Sequence, residues 1–513
     1  MTPRQRWTLV ATVIGSGAVF LDGTIVNAAL PRIGRELPAT VVGVLEGQTY
    51  VVSGYLAVLA ALLILAGALS DRYGRRRIYA LGLAGFAITS GLCGLAPTLE
   101  ILVIARLLQG AAGALMVPGA LSIITQTFAE GERGRAFGLW TSATSALAII
   151  GPLVGGLLVD SIGWRVAFLI NVPILAAALL ITLRYVAESK DIDTTRRFDW
   201  LGSLVAALAV GGLSFGVIRG GEHAWQDSLA WGSIAVGAVA LAIFPVLMAK
   251  RPDPLVPLEL FRSRAFTTIN MATFFVYGGL YVMLSYLSIT LQGALGYTAL
   301  AAGAAVLPMG ISLVTLSTRI GSIAGRTGAR RFLTLGPLLM ATGLLWFTRL
   351  PATSTPWAAR PERLASLIPP SAFFVDVLPA VVLFGVGIAF VVAPLTNTLM
   401  SSIPDRFSGL GSAINNAIAR VGQPLLGALI FVALSTTFYA FLASQAPDLD
   451  LSSPAVRAAF PPLNPPRVAA TAEQVAAAAR ASIEAFHLAM GIAAILVAIG
   501  GAISWVGLRP SGR

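Results

Sequence analysis

Two charged residues lie inside long apolar stretches of this sequence, where an ionised side chain is costly. Asp22 lies about 14 residues into the first stretch and Arg106 about six into the fourth, which at about 1.5 Å per residue brings both to a similar depth if the stretches are antiparallel helices. A buried carboxylate that binds and releases a proton as its surroundings change is suited to coupling proton movement to transport. The alternative is a static structural ion pair with Arg106.

Polar and aromatic side chains also occur inside two of the other apolar stretches and near the end of the first. Arg420 lies near the middle of one stretch with amides a turn away, so it should face the interior and contact a partner or a substrate. A purely structural role is equally open, and an aromatic stripe at helical spacing is often packing. The predicted substrate-binding residues are Asn27, Asn270, Phe274, Tyr277, Tyr281, Asn415 and Arg420.

A short basic turn between two apolar stretches occurs twice, at 67–77 and at 321–331. Five positions match without a gap: Gly67/Gly321, Arg72/Arg326, Gly74/Gly328, Arg76/Arg330 and Arg77/Arg331. An acid and several arginines in such a turn can latch two helical bundles by ion pairs and release them. The alternative is that the arginines only set membrane topology. The predicted gating residues of this turn are Gly67, Asp71, Arg72, Gly74, Arg75 and Arg76.

A second candidate gate lies in the fifth apolar stretch, at Gly151, Pro152, Gly155 and Gly156. Proline removes a helical hydrogen bond and bends the axis, while glycines allow neighbouring helices to approach closely. The pattern predicts a bent, tightly packed hinge in the outer half of the membrane. A packing groove without any gating role is the alternative.

The composition indicates a polytopic membrane protein. Of 513 residues, 56% are hydrophobic and 11% are charged, whereas soluble proteins carry about 25% charged residues. The net charge of +12 is spread through short loops and favours a topology signal over nucleic-acid binding. Cys93 is the single cysteine, so neither a disulfide framework nor a cysteine metal cluster can form within one chain. We expect no metal site and no cofactor.

The apolar stretches predict an all-α fold with fourteen transmembrane helices. Their approximate bounds are 8–30, 49–69, 78–96, 100–124, 136–159, 166–186, 199–218, 229–249, 267–290, 299–319, 332–349, 373–399, 409–437 and 485–507. With both termini in the cytoplasm, about 23 of the Lys and Arg residues fall inside and about 10 outside, as the positive-inside rule requires.

The repeated turn predicts the domain organisation. One copy follows span 2 and the other follows span 10, so spans 1–6 and 9–14 should be two related six-helix bundles. We therefore predict an N-terminal bundle at 1–186, an inserted helix pair with its linkers at 187–255, and a C-terminal bundle at 256–513. The last contains an extracytoplasmic loop at about 438–484, in which 468–483 could form a surface helix.

These residues resemble the major facilitator superfamily, and within it the fourteen-helix drug:proton antiporter branch. The similarity extends over nearly the whole chain, and the motif in span 1 is the most specific. The motifs that carry it are Leu21-Asp22-x-Thr24-Ile25-Val26-Asn27-x-Ala29-Leu30-Pro31, Gly67 with Asp71-Arg72-x-Gly74-Arg75-Arg76, Arg106-Leu107-Leu108-Gln109-Gly110, Gly151-Pro152-x-x-Gly155-Gly156, Trp164-Arg165-x-x-Phe168-x-Ile170-Asn171-Val172-Pro173, Phe198-Asp199-Trp200-x-Gly202 and Gln292-x-x-x-Gly296-x-x-x-x-x-Ala302-Gly303.

The resemblance implies two six-helix bundles around a central cavity, alternating access, and export driven by inward proton flow. Asp22 would be the proton-coupling carboxylate, Arg106 its partner, and Asp71 with its arginines the inner gate. Three departures stand out: Leu147 replaces the glycine that usually begins the span-5 motif, Gly325 replaces the acid in the second basic turn, and span 13 contains no acid. Divalent cationic drugs are therefore less expected as substrates than monocations, neutral lipophiles or zwitterions.

The leading hypothesis is a proton-coupled exporter of amphipathic or lipophilic compounds in a bacterial cytoplasmic membrane. It would act as a monomer surrounded by lipid, with no nucleic-acid partner. One alternative is a narrow-substrate exporter of a natural product, lipid or anionic metabolite bound at Arg420. A membrane enzyme or sensor is a remote alternative, because the sequence has no intramembrane metalloprotease motif and no phosphate-binding Gly-Lys pair.

Overall fold

Helices make up most of the chain because an apolar stretch in lipid must satisfy its backbone hydrogen bonds internally. The computed structural model describes residues 1–189, 199–223, 225–403 and 408–508, and within these ranges it contains helices and no strand. Threonines cap several helices: Thr2 and Gln5, for example, form a reciprocal capping box at the start of the first helix.

Seven helical segments form the N-terminal part. They are α1 (Pro3–Glu36), α2 (Val44–Tyr73), α3 (Arg75–Gly94), α4 (Leu99–Thr127), α5 (Glu130–Ser161), α6 (Trp164–Leu169) and α7 (Asn171–Tyr185). Two helices of the predicted inserted pair follow, α8 (Trp200–Glu222) and α9 (Ser228–Lys250). The predicted linker at 187–198 falls largely outside the described residues.

Nine helical segments form the C-terminal part. They are α10 (Arg264–Gly293), α11 (Ala299–Ala305), α12 (Leu307–Thr327), α13 (Arg330–Trp346), α14 (Ser371–Asp376), α15 (Leu378–Ser401), α16 (Ser408–Gln445), α17 (Pro454–Ala459) and α18 (Ala472–Gly507). Short 3₁₀ turns lie at Leu258–Arg262, Phe347–Arg349 and Leu364–Leu367.

Three predicted spans are interrupted near one end, between α6 and α7, between α11 and α12, and between α14 and α15. Each interruption precedes a proline by two or three residues, at Pro173, Pro308 and Pro379. Proline has no backbone N–H, so it cannot donate the helical hydrogen bond to the carbonyl four residues earlier, which explains the breaks. The first break places Asn171 at the start of α7.

The all-α membrane fold is confirmed. Thirteen helical stretches in the described part are long and apolar enough to cross a membrane. The helix α5 is not among them, although it spans 32 residues and its segment Ala146–Ser161 is apolar. The count of fourteen spans and the cytoplasmic position of both termini stay predictions.

Two of the helices extend beyond the predicted spans. The helix α16 has 38 residues and α18 has 36, so each is over 50 Å long at about 1.5 Å per residue and exceeds a hydrocarbon core of about 30 Å. The prediction of a separate surface helix at 468–483 was wrong, because from Ala472 this segment is the first part of α18. Thr471 caps that helix with Gln474.

The packing groups α1 to α7 into one half and α10 to α18 into another. In the first half α1 packs on α4, α5 and α7, while α2 packs on α4; in the second half α10 packs on α16 and α18, and α13 on α15. The pair α8 and α9 forms a hairpin, and α8 contacts both α2 and α16. The predicted domain boundaries at 186 and 255 stay predictions.

The inserted pair is joined to α2 by a charged cluster. Arg219 of α8 lies 3.7 Å from the carboxylate of buried Glu46 and 2.5 Å from that of Asp227, which caps α9. The backbone N–H of Leu229 and the side chain of Arg219 hold the pKa of Asp227 below its usual value. These contacts fix the end of the hairpin against the first half.

Candidate functional site

The carboxylate of Asp22 lies at the centre of the first half and is completely buried. Its Oδ2 accepts a hydrogen bond of 2.5 Å from Nη1 of Arg106. Its Oδ1 accepts bonds from the side-chain amides of Gln109 (3.2 Å) and Asn171 (3.1 Å). Three donors from α4 and α7 therefore stabilise the ionised carboxylate on α1.

Arg106 is equally enclosed, with only 1% of its surface exposed. Its Nη1 also donates to Oε1 of Gln109 at 2.6 Å, and its Nε donates to the backbone carbonyl of Val51 at 3.0 Å. The guanidinium lies 4.1 Å from the centre of the Tyr55 ring, a cation–π distance. The predicted pairing of Asp22 with Arg106 is thus present in the structure, and its role in proton coupling stays a prediction.

The predicted substrate-binding residues separate into two groups. Asn270 and Asn415 bind each other, since the Asn415 amide donates to Oδ1 of Asn270 (3.1 Å) and to Thr273 (2.9 Å). These bonds join α10 to α16 within the second half. Asn27 instead accepts a bond of 3.0 Å from Ser285 of α10, across the two halves.

The aromatic stripe on α10 lies close to Arg420. Phe274 packs edge-to-face on Phe275, while Tyr277 and Tyr281 are partly buried. Arg420 is 6% exposed and interacts electrostatically with Tyr277. The structure therefore places Tyr277 near Arg420 and Tyr281 near Tyr277, and contact of any of them with a substrate stays a prediction.

The first basic turn contacts the segment that follows α7. Glu188 accepts a bond from the backbone N–H of Arg76 (3.1 Å) and lies 3.9 Å from Nε of Arg77. The Arg76 side chain also donates to the backbone carbonyl of Leu183. These partners belong to the same half, and the side chain of Asp71 is outside the described part. A latch between the halves, with Arg72 and Arg75, stays a prediction.

The two copies of the basic turn share one backbone geometry. Gly74 has φ 111° and ψ 127°, and Gly328 has φ 91° and ψ 141°. A side chain is strained at such a positive φ, which explains why glycine occupies both positions. Gly67, by contrast, has ordinary space, since an added Cβ would first meet Pro118 at 3.8 Å.

The glycines of the span-5 motif allow α5 to approach α1 and α11 at backbone distance. An added Cβ on Gly155 would lie 2.8 Å from the Ile25 carbonyl, and one on Gly156 would lie 2.6 Å from Cα of Leu300. Gly151 packs in the same way on Thr24 of α1, and Gly303 of α11 packs on the backbone of Pro152. The motif therefore forms a contact between the two halves.

Hydrogen bonds also join the two halves at the end where α1 and α10 finish. Asp160 accepts bonds from the backbone N–H groups of Ala299 (3.2 Å) and Leu300 (2.7 Å). Gln48 and Asn464 form a reciprocal amide pair of 3.0 and 2.9 Å. The predicted topology places this end outside, and closure toward the exterior stays a prediction with that topology.

Sequence reasoning missed several members of these networks. Gln109 and Asn171 were noted only as motif positions, although both donate to Asp22. The signal that could have identified them was the presence of a polar amide side chain inside an apolar span. Asp160 and Asn464 were not proposed at all, because their partners lie in the other half. The Pro-rich segment that contains Asn464 showed no chemistry in the sequence, yet it joins the two halves through Gln48.

Comparison with known families decides the class of protein. The model of the Major Facilitator Superfamily matches residues 12–427, which is most of the chain. The chain belongs to the Major Facilitator Superfamily. It is therefore a multi-pass membrane protein with the fold of a transporter, as the resemblance implied.

Curated relatives in this superfamily are resistance and export proteins. Multidrug resistance protein Stp of Mycobacterium tuberculosis is 33% identical, over 87% of this chain and 80% of that one. The tetracenomycin C resistance and export protein of Streptomyces glaucescens is 32% identical, over 84% of this chain and 76% of that one. The puromycin resistance protein of Streptomyces alboniger is also 32% identical, over 86% and 84%.

Solved transporter structures share the superfamily fold. A bacterial homolog of the human lysosomal transporter Spinster, inward-facing and unoccupied, has a TM-score of 0.61 at 16% identity, over 99% of this chain and 97% of that one. A D-xylose-proton symporter has a TM-score of 0.60 at 13% identity, over 98% of both chains. At these identities the likeness concerns the fold alone.

Proposed function

We propose that this chain is a proton-coupled antiporter that exports amphipathic or lipophilic compounds by alternating access. The observation that carries the proposal is the buried Asp22 carboxylate, held by Arg106, Gln109 and Asn171 at the centre of the first half. The named relatives, which are multidrug and antibiotic resistance proteins of bacteria, support export from a bacterial cytoplasmic membrane.

Asp22 and Arg106 carry the coupling step. With the outer end closed, Asp22 and Arg106 form a buried ion pair that occupies the arginine. A proton that arrives at Asp22 removes its charge and weakens its bond to Arg106, because the bond is charge-assisted only when the carboxylate is ionised. The released donors of α4 and α7 then favour a different packing against α1, and rocking of the halves exposes the substrate to the other side.

A proteoliposome assay tests this function without assuming the substrate. Vesicles with a trapped pH-sensitive dye and an imposed proton gradient are exposed to a chemically diverse panel of amphipathic compounds. Export predicts proton movement that requires a transported compound and is absent in vesicles without protein. Proton flux with a single member of the panel would favour the narrow-substrate alternative, and compound movement that is independent of the gradient would refute proton coupling.

A further inference from the structure

We propose that the compounds this protein exports carry an anionic group, and that Arg420 of α16 binds this group where α16 packs against α2 and α10. The inference rests on the proposed export function and adds a substrate class to it. The class is an aromatic or amphipathic acid with a carboxylate or sulfonate, rather than a lipophilic cation.

Arg420 has no counter-charge in the described part of the chain. Its Nη1 donates to the backbone carbonyl of Asn416 (3.1 Å) and to the Asn416 side chain (3.4 Å), one turn earlier on α16. Among the described residues no carboxylate lies within 4.0 Å of it. A buried cation without a counter-charge has lost its hydration and gains no ion-pair energy in return. A ligand that supplies the negative charge would therefore bind favourably beside Arg420.

Two further polar atoms around Arg420 lack partners within the described residues. The hydroxyl of Tyr55 and Oε1 of Gln423 are buried without a hydrogen bond. Gln423 lies one turn after Arg420 and lines a small cavity with Thr49 and Ser285. Tyr55, on the opposite half, is close enough to Arg420 to interact electrostatically. Unsatisfied groups on α2 and α16 therefore lie on the two helices that pack together near Arg420, and a ligand bound there could satisfy them.

The charges near the centre of the membrane favour an anion. The Asp22 carboxylate is already neutralised by Arg106, which leaves Arg420 as the uncompensated charge among these three central residues. A lipophilic cation entering between the halves would meet Arg420 and find Asp22 occupied. A carboxylate or sulfonate matches the planar guanidinium donor fork. Tyr277, which lies near Arg420, is a candidate to pack against a ring attached to that acid.

The remaining atoms refine this class. Oε1 of Gln423 only accepts hydrogen bonds, so its partner should be an N–H or O–H group on the compound. The Tyr55 hydroxyl can donate or accept. A compound that places a hydroxyl or amide near an acidic group on an aromatic frame would therefore satisfy Arg420, Gln423 and Tyr55 together.

Two dyes with one ring system and opposite charge test the inference. Fluorescein is anionic and rhodamine 123 is cationic, and both are xanthenes. We would measure binding of each to the purified protein in lipid nanodiscs by fluorescence anisotropy, for the wild type, Arg420→Gln and Arg420→Lys. Arg363→Gln, in an exposed loop, is the matched control. Thermal unfolding of each variant reports whether it is folded.

The wild type should bind fluorescein at least about tenfold more tightly than rhodamine 123, since a hydrogen-bonded charge pair contributes a factor of about 10 to 100. Arg420→Gln should bind fluorescein about tenfold more weakly than the wild type and bind rhodamine 123 equally well. Arg420→Lys should restore part of the affinity for fluorescein, and Arg363→Gln should resemble the wild type. A wild-type preference for rhodamine 123, or an equal loss of both dyes in Arg420→Gln, would overturn the inference.

Transport of the same dyes in proteoliposomes separates this inference from the proposed function. Gradient-driven movement of rhodamine 123 without fluorescein would refute anion selectivity while leaving the exporter intact. Selective fluorescein binding that requires Arg420, combined with no proton-linked movement of any compound, would refute the antiporter and retain the anion site.

Discussion

At the scale of single residues, the chemistry of this protein is concentrated on one carboxylate and its donors. Asp22 has one charged partner and two amide partners, all of which are buried. The amides matter because their hydrogen bonds hold the carboxylate in place beside Arg106. They should therefore affect the rate of the proton-coupled step.

Replacing Asn171 by leucine should slow gradient-driven transport. The variant removes one of the two amide donors that hold Asp22 beside Arg106, so the carboxylate is positioned less firmly. We expect the initial rate to fall by about tenfold, since a hydrogen bond to a charged group contributes about 1.5 kcal/mol. Initial rates measured in proteoliposomes under one fixed proton gradient provide the test.

Ser90→Ala is the matched control for this variant. Asn171 donates to both Asp22 and Ser90, at 3.1 Å each. Loss of the serine hydroxyl leaves the bond to Asp22 in place, so the transport rate should stay near that of the wild type. Equal losses of rate in Ser90→Ala and Asn171→Leu would mean that general packing, rather than donation to Asp22, controls transport.

The sequence predicted this pair of charges and missed the amides for a physical reason. Asp22 and Arg106 are conspicuous because ionised groups in a span are expensive, and helix rise alone places them at similar depth. Gln109 and Asn171 are uncharged and carry no such signal. Their assignment requires knowing which faces of α4 and α7 meet α1.

At the scale of helices, the span-5 motif is a contact between the two halves. Gly156 of α5 packs on the backbone of α11, and Gly303 of α11 packs on the backbone of Pro152. Such close approach is possible only without a side chain. Alternating access requires these surfaces to separate. The closeness of their packing should therefore determine how stable the state closed at the predicted outer end is.

Gly156→Ala should shift the population away from the state that is closed toward the exterior. The added methyl group would lie 2.6 Å from Cα of Leu300, and such overpacking costs about 1–3 kcal/mol. Spin labels on cysteines at Ser161 and Ala358, two exposed positions, should report a longer distance in the variant. Native Cys93 is buried and should remain unlabelled.

Gly138→Ala on the same helix is the control for this experiment. No atom lies within 4 Å of a Cβ placed at Gly138. Its methyl group should favour the helix by up to about 1 kcal/mol and leave the distance distribution unchanged. If both variants lengthen the distance alike, the contact between α5 and α11 does not control outer closure.

Helix positions followed from the apolar stretches, but helix ends did not. A hydropathy pattern shows where lipid contact is possible and stops at the membrane surface. The extension of α18 is polar and Ala-rich and is capped by Thr471, whereas that of α16 is largely aromatic and apolar. The polar composition is why residues 472–483 were wrongly taken as part of a separate surface helix.

At the scale of the whole molecule, the proposed alternating access requires two conformational states, and the structure shows one of them. The bonds of Asp160 to α11 and of Gln48 to Asn464 join the halves at one end. Sequence alone predicted two related halves from the repeated basic turn. It could not predict which end is closed, because both states use the same helices and differ only in the contacts between the halves.

The orientation in the membrane can be tested with single cysteines. Ser161→Cys lies at the predicted outer end of α5 and Ser401→Cys at the predicted inner end of α15, and both positions are exposed. In intact cells a membrane-impermeant maleimide should label Ser161→Cys, and it should label Ser401→Cys only after permeabilisation. The opposite labelling pattern would reverse the topology and place the closed end in the cytoplasm.

The central claim is that Asp22 couples proton movement to export, and Asp22→Asn tests it most directly. The amide keeps the size of the side chain but cannot titrate. In proteoliposomes the variant should lose all accumulation driven by a proton gradient, while it still exchanges substrate across the membrane at equal pH. Asp450→Asn, in an exposed loop, should behave as the wild type. Full gradient-driven accumulation by Asp22→Asn would contradict the account.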